Sequence, residues 1–265
     1  MGDPSLPRSV TTLTVDGRTV HLVGTAHVSQ ESVEDVRRTV ESVRPDAIAV
    51  ELCPARHKAL TDSDAWRKMD IFKIVKVKKA ILLLTQLALS SFYRRIGEKL
   101  GIQPGAEMLE GVRLAEQTGA RLVLADRDIQ ITFKRVWGYL GFWNKCKLLA
   151  HLIAAVFETE QLDTEAIEQL KVQDQLEGIM AEFAVKFPRI KERLIDERDI
   201  YLAQRIRQAH GETIVAVVGA GHVEGISRHI HQDRSLEDLE QLPPRSIVPR
   251  LIGWGIPLLL VGLLV

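Results

Sequence analysis

Two short segments of the sequence share the pattern V-G-x-x-H-V, each directly after an apolar run. The first contains Gly24 and His27, and the second contains Gly219 and His222. Glycine at the end of a strand allows a sharp turn, so each histidine would project above the carboxyl edge of a sheet, where open α/β folds bind ligands. The pair predicts a ligand site with two imidazoles. Two helix-entry turns with incidental histidines are the alternative.

Two further strand-like runs end in carboxylates, since DAIAV is followed by Glu51 and RLVLA by Asp126. If all four runs belong to one parallel sheet, His27, Glu51, Asp126 and His222 crowd one edge. Two imidazoles with one or two carboxylates suit Zn²⁺, Mn²⁺ or Co²⁺. Such an ion would polarise a carbonyl and acidify a bound water. Taken singly, each carboxylate also fits a helix N-cap or a salt bridge.

A predicted helix over 188–210 carries an arginine on its apolar face. Proline suits its first turn, and Gly211 suits its end. At about 100° per residue, Arg198 falls near the middle of the apolar stripe. A buried arginine is costly unless it is paired, so we expect Arg198 to meet carboxylates of the protein or of a substrate. The stripe consists of Phe187, Ile190, Leu194, Tyr201, Leu202 and Ile206.

The apolar patterns predict an α/β fold. Residues 10–24 alternate as two strands around an Asp-Gly step, which is typical of a hairpin, and 31–43 have valines at helical spacing. The runs 46–51, 119–126 and 213–219 are short and apolar, and each follows a plausible helix. We therefore expect a central, largely parallel or mixed sheet with helices on both faces.

Two predicted helical insertions interrupt this pattern, a basic one over 65–100 and one over 130–187 with an acidic stretch. They could pack together, or each could be a solvated face. The apolar middle of the first, 80–93, requires a protein core, a membrane surface or a partner. A homodimer through this helix is therefore one expectation.

The last residues, 251–265, are apolar and uncharged, but fewer than the ~20 residues that span a bilayer. We expect one α/β domain over 1–242, followed over 243–265 by a linker and the start of a transmembrane region. A C-terminal core helix is the alternative. Arg245 and Arg250 precede the apolar run, and the positive-inside tendency then places the domain in the cytoplasm.

The composition of the 265 residues excludes some classes of protein. The net charge is +0 and aromatic residues are only 5%, so we expect no nucleic-acid partner. Cys53 and Cys146 are far apart in the sequence, which argues against a disulfide framework and for a reducing compartment. Because no apolar segment lies near the N-terminus, we expect no secretory signal.

Six sequence blocks resemble the TraB family of the TraB/PrgY/GumN–Tiki superfamily. In order, they are VGTAHVSQES, VELCPARHKAL, PGAEMLEG, LADRDIQITFKR, DERDIYLA and VVGAGHVEGI. The resemblance implies a fold related to erythromycin-esterase-like and ChaN-like proteins, with paired GxxH motifs at the active site. Some relatives in this superfamily are metal-dependent proteases, and one is named for pheromone shutdown. The resemblance also implies membrane helices after the domain.

The resemblance also suggests roles for particular residues. It implies that His27 and His222 bind the metal, with Glu51 as a ligand or general base. It marks Arg56 and Asp126 as substrate-binding residues and Arg198 as a substrate-binding or catalytic residue. Further catalytic candidates, from the matching GAEM, DRD and DERD blocks, are Glu107, Arg127 and Glu197.

Three functions follow as hypotheses. The first is a membrane-anchored, metal-dependent hydrolase that cleaves a peptide or protein, in which Arg127 and Arg198 hold a substrate carboxylate or stabilise an oxyanion. The second is a metal-independent hydrolase in which His27 activates water and Glu51 orients it. The third is a membrane protein that binds and sequesters a peptide without cleaving it.

Overall fold

The computed structural model describes residues 6–25, 30–61, 105–141, 143–144, 147 and 188–243. Within these ranges, five strands form one sheet in the order β1-β2-β5-β3-β4. β1 pairs antiparallel with β2, whereas β2, β5, β3 and β4 run parallel to one another. The strands are β1 (Val10–Val15), β2 (Arg18–Thr25), β3 (Ala47–Val50), β4 (Arg121–Leu124) and β5 (Thr213–Gly219).

The predicted hairpin is confirmed. Asp16 and Gly17 both have positive φ, 49° and 78°, which a two-residue turn between right-twisted strands requires. The other predicted strands are also present: the bounds of 213–219 match β5, and the ends of the other two differ by one or two residues. The result is the mixed, largely parallel sheet that the apolar runs indicate.

The helices occupy the segments between the strands. They are α1 (Gln30–Val43), α2 (Pro54–Thr61), α3 (Ala106–Thr118), α4 (Ile129–Tyr139), α5 (Pro188–Lys191), α6 (Glu197–Arg207), α7 (Ala220–His229) and α8 (Leu236–Glu240), with a π-helical segment, Glu192–Asp196, directly before α6. The predicted helix over 188–210 ends earlier, at Arg207, because Ala209 donates its N–H to Ile206 and tightens the last turn.

Both faces of the sheet are covered by helices. Along β5, Ile214, Ala216 and Val218 face α6 and α7, whereas Val215 and Val217 face α1 and α3. All five side chains are fully buried. Because successive strand residues point to opposite faces, one continuous apolar strand supplies both cores.

The contacts of the chain divide it into two compact units. The first comprises residues up to Ile129 and Asp196–Leu239, and the second comprises Gln130–Ile195 and the residues from Glu240 onward. The sheet lies in the first unit. The described part of the second unit has a small apolar cluster of Leu140 and Ile190, with Val136 and Leu194 packed against it.

Several sequence predictions fall outside the described residues. They include the insertion over 65–100, most of the insertion over 130–187, and the apolar run over 251–265. None of the helices in the described ranges is long and apolar enough to cross a bilayer. The membrane segment and the domain boundary at residue 242 stay predictions.

Glu110 of α3 connects this helix to α1 on the same face of the sheet, and its ionisation contributes to stability. Its carboxylate accepts hydrogen bonds of 2.6 and 2.8 Å from Arg113 and one of 3.0 Å from Arg37 of α1. The Arg113 hydrogen bonds, followed by those of Arg37, hold the pKa of Glu110 below its ordinary value. A lowered carboxyl pKa stabilises the fold above the unfolded-state pKa, and this contribution is lost as the pH falls through the folded-state pKa.

We therefore expect Glu110→Gln to lower the free energy of unfolding by at most about 1 kcal/mol at neutral pH, because the side chains of its partners Arg37 and Arg113 are 39% and 46% exposed and solvent screens the interaction. The difference from wild type should shrink as the medium becomes acidic, measured by urea unfolding across pH. Glu116→Gln, an exposed position of the same helix, is the control. A difference that stays constant with pH would contradict the linkage.

Candidate functional site

Glu51 lies at the carboxyl end of β3, beside the end of β5. Its side chain is 3% exposed. The Gly219 N–H donates a hydrogen bond of 2.7 Å to Glu51 Oε2, and Arg198 Nη2 donates one of 2.7 Å to Oε1. The carboxylate is therefore held from β5 on one side and from α6 on the other.

Arg198 pairs with a second carboxylate at the same edge. Its Nε and Nη2 donate to Asp126 Oδ1 and Oδ2 at 3.1 and 2.8 Å, which is the bidentate geometry that favours arginine over lysine. Burial by itself lowers the pKa of Arg198, but Asp126 and Glu51 together raise it above its ordinary value. The prediction that Arg198 meets carboxylates is confirmed, and these carboxylates belong to the protein.

His222 lies on the first turn of α7, with its two ring nitrogens near different carboxylates. Nδ1 is 2.5 Å from Asp199 Oδ1, and Nε2 is 3.5 Å from Glu51 Oε1. A short contact to Asp199 fits an Nδ1–H donor, and Nε2 is on the side of the ring that faces Glu51. We call Glu51, Asp126, Arg198, Asp199 and His222 the edge cluster.

A glycine allows the Asp199–His222 contact. Gly225 lies three residues after His222 on α7, and a Cβ at this position would overlap the carboxylate of Asp199. Asp199 is 6% exposed. Burial raises the pKa of Asp199, and the neighbouring His222 opposes this by lowering it.

A buried ion pair fixes the strand end next to the cluster. Arg127 Nη1 donates to Glu197 Oε2 at 2.8 Å and to the Leu239 carbonyl at 2.9 Å. Arg127 is 1% and Glu197 is 5% exposed. Through these contacts, Arg127 and Glu197 position α6 against the end of β4. The predicted catalytic roles of both residues stay predictions.

The remaining predicted residues lie at different distances from the cluster. Arg56 Nη1 is 4.0 Å from Asp126 Oδ2, and the Arg56 side chain is 45% exposed, so it adds a solvent-accessible cation beside the cluster. Glu107 is fully buried in the first turn of α3. Cys53 is a buried free thiol, as expected.

His27 lies outside the described residues, but the strand that leads to it is described. Thr25 of β2 pairs with Gly219 of β5, so the chain leaves both strands side by side. A Cβ at Gly24 would lie 3.0 Å from the side chain of Val223, which shows how closely the end of β2 approaches α7. Among the described residues, no group of three histidine, cysteine, aspartate or glutamate side chains could hold a metal ion.

The sequence analysis missed one member of the edge cluster. Asp199 follows Arg198 directly in the sequence. An acidic residue next to a predicted buried arginine is a signal that could have marked it as a candidate site residue. Its partner His222 is 23 residues away on another helix. Only the packing of α6 on α7 identifies that pair.

The profile of the TraB/PrgY/gumN family matches residues 9–235, a span that contains the whole edge cluster. The chain belongs to the TraB/PrgY/gumN family. It is 33% identical to the TraB domain-containing protein of Homo sapiens over 288 aligned residues, which cover 98% of this chain and 76% of the human protein. The Mus musculus protein of the same name gives the same identity and coverage.

A third relative comes from another organism. An uncharacterized protein of Methanocaldococcus jannaschii is 34% identical over 253 residues, which cover 92% of this chain and 63% of that protein. The similarity therefore extends across nearly all of the chain. The resemblance to the TraB family stated above is confirmed by both comparisons.

The central position of Arg198 predicts a large loss of stability when its charge is removed. Arg198→Met would leave the buried carboxylates of Glu51 and Asp126 without their shared cation. Removing one partner of a buried pair costs about 3–5 kcal/mol. We expect that loss in urea unfolding at neutral pH, and a smaller loss for Arg198→Lys, which keeps the charge without the planar fork.

Arg205→Met is the matched control, because Arg205 is on the same helix and donates at 3.2 Å to a backbone carbonyl, that of Leu124. Its loss should be about 1 kcal/mol. Equal losses for the two methionine variants would show that the charge of Arg198 has no special role in stability.

Proposed function

We propose that this TraB-family chain is a membrane-anchored, metal-dependent hydrolase that acts on peptides. His222, Glu51 and His27 would hold the divalent ion. The observation that carries the proposal is the position of the His222 ring between Asp199 and Glu51.

The distance between two donor atoms supports the fit of this site to a metal ion. His222 Nε2 and Glu51 Oε1 are 3.5 Å apart, and two ligands at ~2.1 Å from a tetrahedral ion are about 3.4 Å from each other. A metal-binding histidine usually donates its other ring N–H to a carboxylate. The contact between His222 Nδ1 and Asp199 Oδ1 fits this arrangement. The third ligand of the proposal, His27, follows the last residue of β2 by two positions in the sequence, and β2 pairs with β5.

Charge supports the fit as well. The edge cluster has three carboxylates, those of Glu51, Asp126 and Asp199, and the single permanent cation of Arg198. With His222 neutral, this gives an excess of negative charge in a buried place, which a divalent cation would compensate. When bound, such an ion would polarise the scissile carbonyl and lower the pKa of a water.

The other residues of the cluster have roles that need no metal. Arg198 and the Gly219 N–H hold the carboxylate of Glu51 in one orientation, so that Glu51 can act as a ligand or accept a proton from water. Asp199 holds the proton of His222 on Nδ1. The solvent-accessible guanidinium of Arg56 would attract a substrate carboxylate. Arg198 already binds the carboxylates of Glu51 and Asp126, so its role would be to position Glu51.

The same Asp199–His222 contact also favours a second candidate, a metal-independent hydrolase. A carboxylate that orients a histidine is the arrangement of a general base. In that case a histidine at this edge would activate water with Glu51 as its partner. The two candidates differ in their response to chelation.

His222→Ala is expected to remove bound metal from the purified full-length chain while the circular dichroism spectrum stays unchanged. Elemental analysis of wild type and variant measures this directly. His229→Ala is the matched control, because His229 is on the same helix outside the edge cluster. Stoichiometric metal that remains after both His27 and His222 are replaced would contradict the metal assignment.

Cleavage of a peptide library tests the reaction. We expect products with the metal-loaded chain, loss of products after chelation and recovery when the ion is restored. Products that survive exhaustive chelation would replace the proposal with the metal-independent hydrolase. Tight peptide binding with no product under any divalent ion would show that the chain sequesters its ligand.

Asp199→Asn tests the positioning of His222. An asparagine can present its amide N–H₂ to Nδ1 and so favour the opposite tautomer, as loss of an orienting carboxylate does in other enzymes. We expect metal affinity and activity to fall about 10–100-fold, and the ¹⁵N chemical shifts of the His222 ring to report a change of tautomer. Asp196→Asn, at the residue directly before the same helix, is the control. Unchanged ring shifts would exclude a positioning role for Asp199.

A further inference from the structure

In the described part of the chain, β1 is one edge of the sheet, so half of its backbone groups point away from β2. Its register with β2 is continuous over all six residues. Directly before β1, the Gly24 N–H donates to the Ser9 carbonyl, which makes these two residues a hydrogen-bonded pair. Such pairs alternate with non-hydrogen-bonded ones along an antiparallel ladder. The residues of β1 that present their N–H and C=O to the outer side are therefore Val10, Thr12 and Thr14.

Two of these outward N–H groups have no acceptor among the described residues. The Val10 N–H donates to the Pro7 carbonyl at 3.1 Å, whereas within the described sheet β1 pairs with β2 alone. Thr12 and Thr14 therefore retain outward donors. A row of such donors and carbonyls is a template for another strand.

β1 lacks the features that usually protect an edge strand from pairing. Charged side chains, proline, a bulge or a very short length serve that purpose. β1 is VTTLTV, with six paired residues and none of these features. The opposite edge of the described sheet differs, because β4 has four residues, begins with Arg121 and has its Leu124 carbonyl bound by Arg205 at 3.2 Å. One edge is thus protected and the other is open to pairing.

Packing on both faces holds β1 in an extended conformation. Leu13 and Val15 contact the core on the side of α6 and α7, and Val10 packs against the core on the side of α1 and α3. Thr12 Oγ1 is 3.0 Å from Nδ1 of His21 on β2. The outward groups are therefore held in strand geometry before a partner binds, which lowers the ordering cost of association.

We propose that β1 pairs antiparallel with β1 of a second copy of this chain, which joins the two sheets into one. With a two-fold axis beside Thr12, the Thr12 N–H of each copy donates to the Thr12 carbonyl of the other. The Thr14 N–H of each copy donates to the Val10 carbonyl of the other. Both outward donors then have an acceptor, and threonine faces threonine, which is a favourable cross-strand pair.

The charges at the ends of β1 favour this antiparallel arrangement. It places the start of one strand beside the end of the other. Arg8 is exposed two residues before β1, and Asp16 directly follows β1. Asp16 has Arg207 at 2.7 Å and Arg18 at 4.0 Å, but its side chain is still 52% exposed and can receive Arg8 of the other copy. Parallel pairing would instead bring Arg8 to Arg8, so the charges select the orientation of the two copies.

The edge is small for a protein interface, so the dimer is weak and reversible. Stable interfaces bury ~800 Å² per partner, and one edge of six residues is below that size. This dimer is distinct from the one that the sequence predicts through 80–93. It also does not depend on the proposed hydrolase, because no residue of the edge cluster takes part.

The test measures association and amide protection on the same purified full-length chain. Sedimentation velocity over a range of concentrations should show a monomer–dimer equilibrium. Amide hydrogen exchange, measured residue by residue by NMR, should show protection of the Thr12 and Thr14 amides that increases with protein concentration. The Thr11 and Leu13 amides, which bond to β2, should be protected at every concentration. This alternation is specific to strand pairing at β1.

Two variants at one position separate the backbone donor from the side chain. Thr12→Pro removes one interchain hydrogen bond per copy, and proline is tolerated on an edge strand where the N–H points outward. We expect it to raise the dimer dissociation constant at least about tenfold. Thr12→Val, the matched control, also loses the hydroxyl contact with His21 but keeps the N–H and the β-branch. It should leave the dissociation constant unchanged, and circular dichroism should show that both variants are folded.

Four results would overturn the proposal. The first is a chain that stays monomeric up to about 1 mM. The second is a dimer whose formation leaves the exchange of the Thr12 and Thr14 amides unchanged, which would assign the interface to another surface. The third is full protection of both amides in the monomer, which would show that a segment of the same chain covers the edge. The fourth is an equal loss of affinity for Thr12→Pro and Thr12→Val, which would exclude a role for the backbone donor.

Discussion

The guanidinium of Arg198 is the interaction on which the carboxyl edge of this sheet depends. It binds the carboxylates that end two strands, Glu51 after β3 and Asp126 after β4, from a helix on one face of the sheet. Two carboxylates buried at one edge would repel each other and shift one pKa upward without a shared cation. Arg198 therefore makes it possible to keep two charges where the backbone brings the strand ends together.

The strand order then determines what lies next to this ion pair. β5 lies between β2 and β3, while the helix that follows β5 packs on the opposite face from α1 and α3. Helices that leave neighbouring strands toward opposite faces open a crevice at the carboxyl edge. His222, at the start of α7, lies at that opening, and Gly225 brings Asp199 within hydrogen-bonding distance of its ring.

The second unit obeys a different constraint. In α4 an arginine and a threonine are buried and two aromatic residues are exposed, so its burial does not follow from hydrophobicity alone. The polar side is satisfied by the Gln241 carbonyl and by the Tyr139 ring. Such a helix is stable only if its buried polar groups are paired.

The sequence by itself determined the strands, the hairpin and the residues at the strand ends, because these depend on local patterns. Alternation and apolar runs identify β1 to β5, and the Asp16-Gly17 step predicts the hairpin turn, whose two residues have positive φ in the structure. Helical spacing also identified Arg198 as a residue that needs carboxylate partners. Each inference uses residues that are close together in the chain.

Only the tertiary structure decided which of these residues meet. Glu51 and the Gly219 N–H that binds it are 168 positions apart, and the order of the strands between them is not encoded in any local period. The pairing of Asp199 with His222, the burial of Arg127 on Glu197 and the burial of Arg135 in α4 also arise from packing between elements. Hydrophobic periodicity predicts which side of an element is buried, but the partner of a charged group is chosen by the elements that the fold brings beside it.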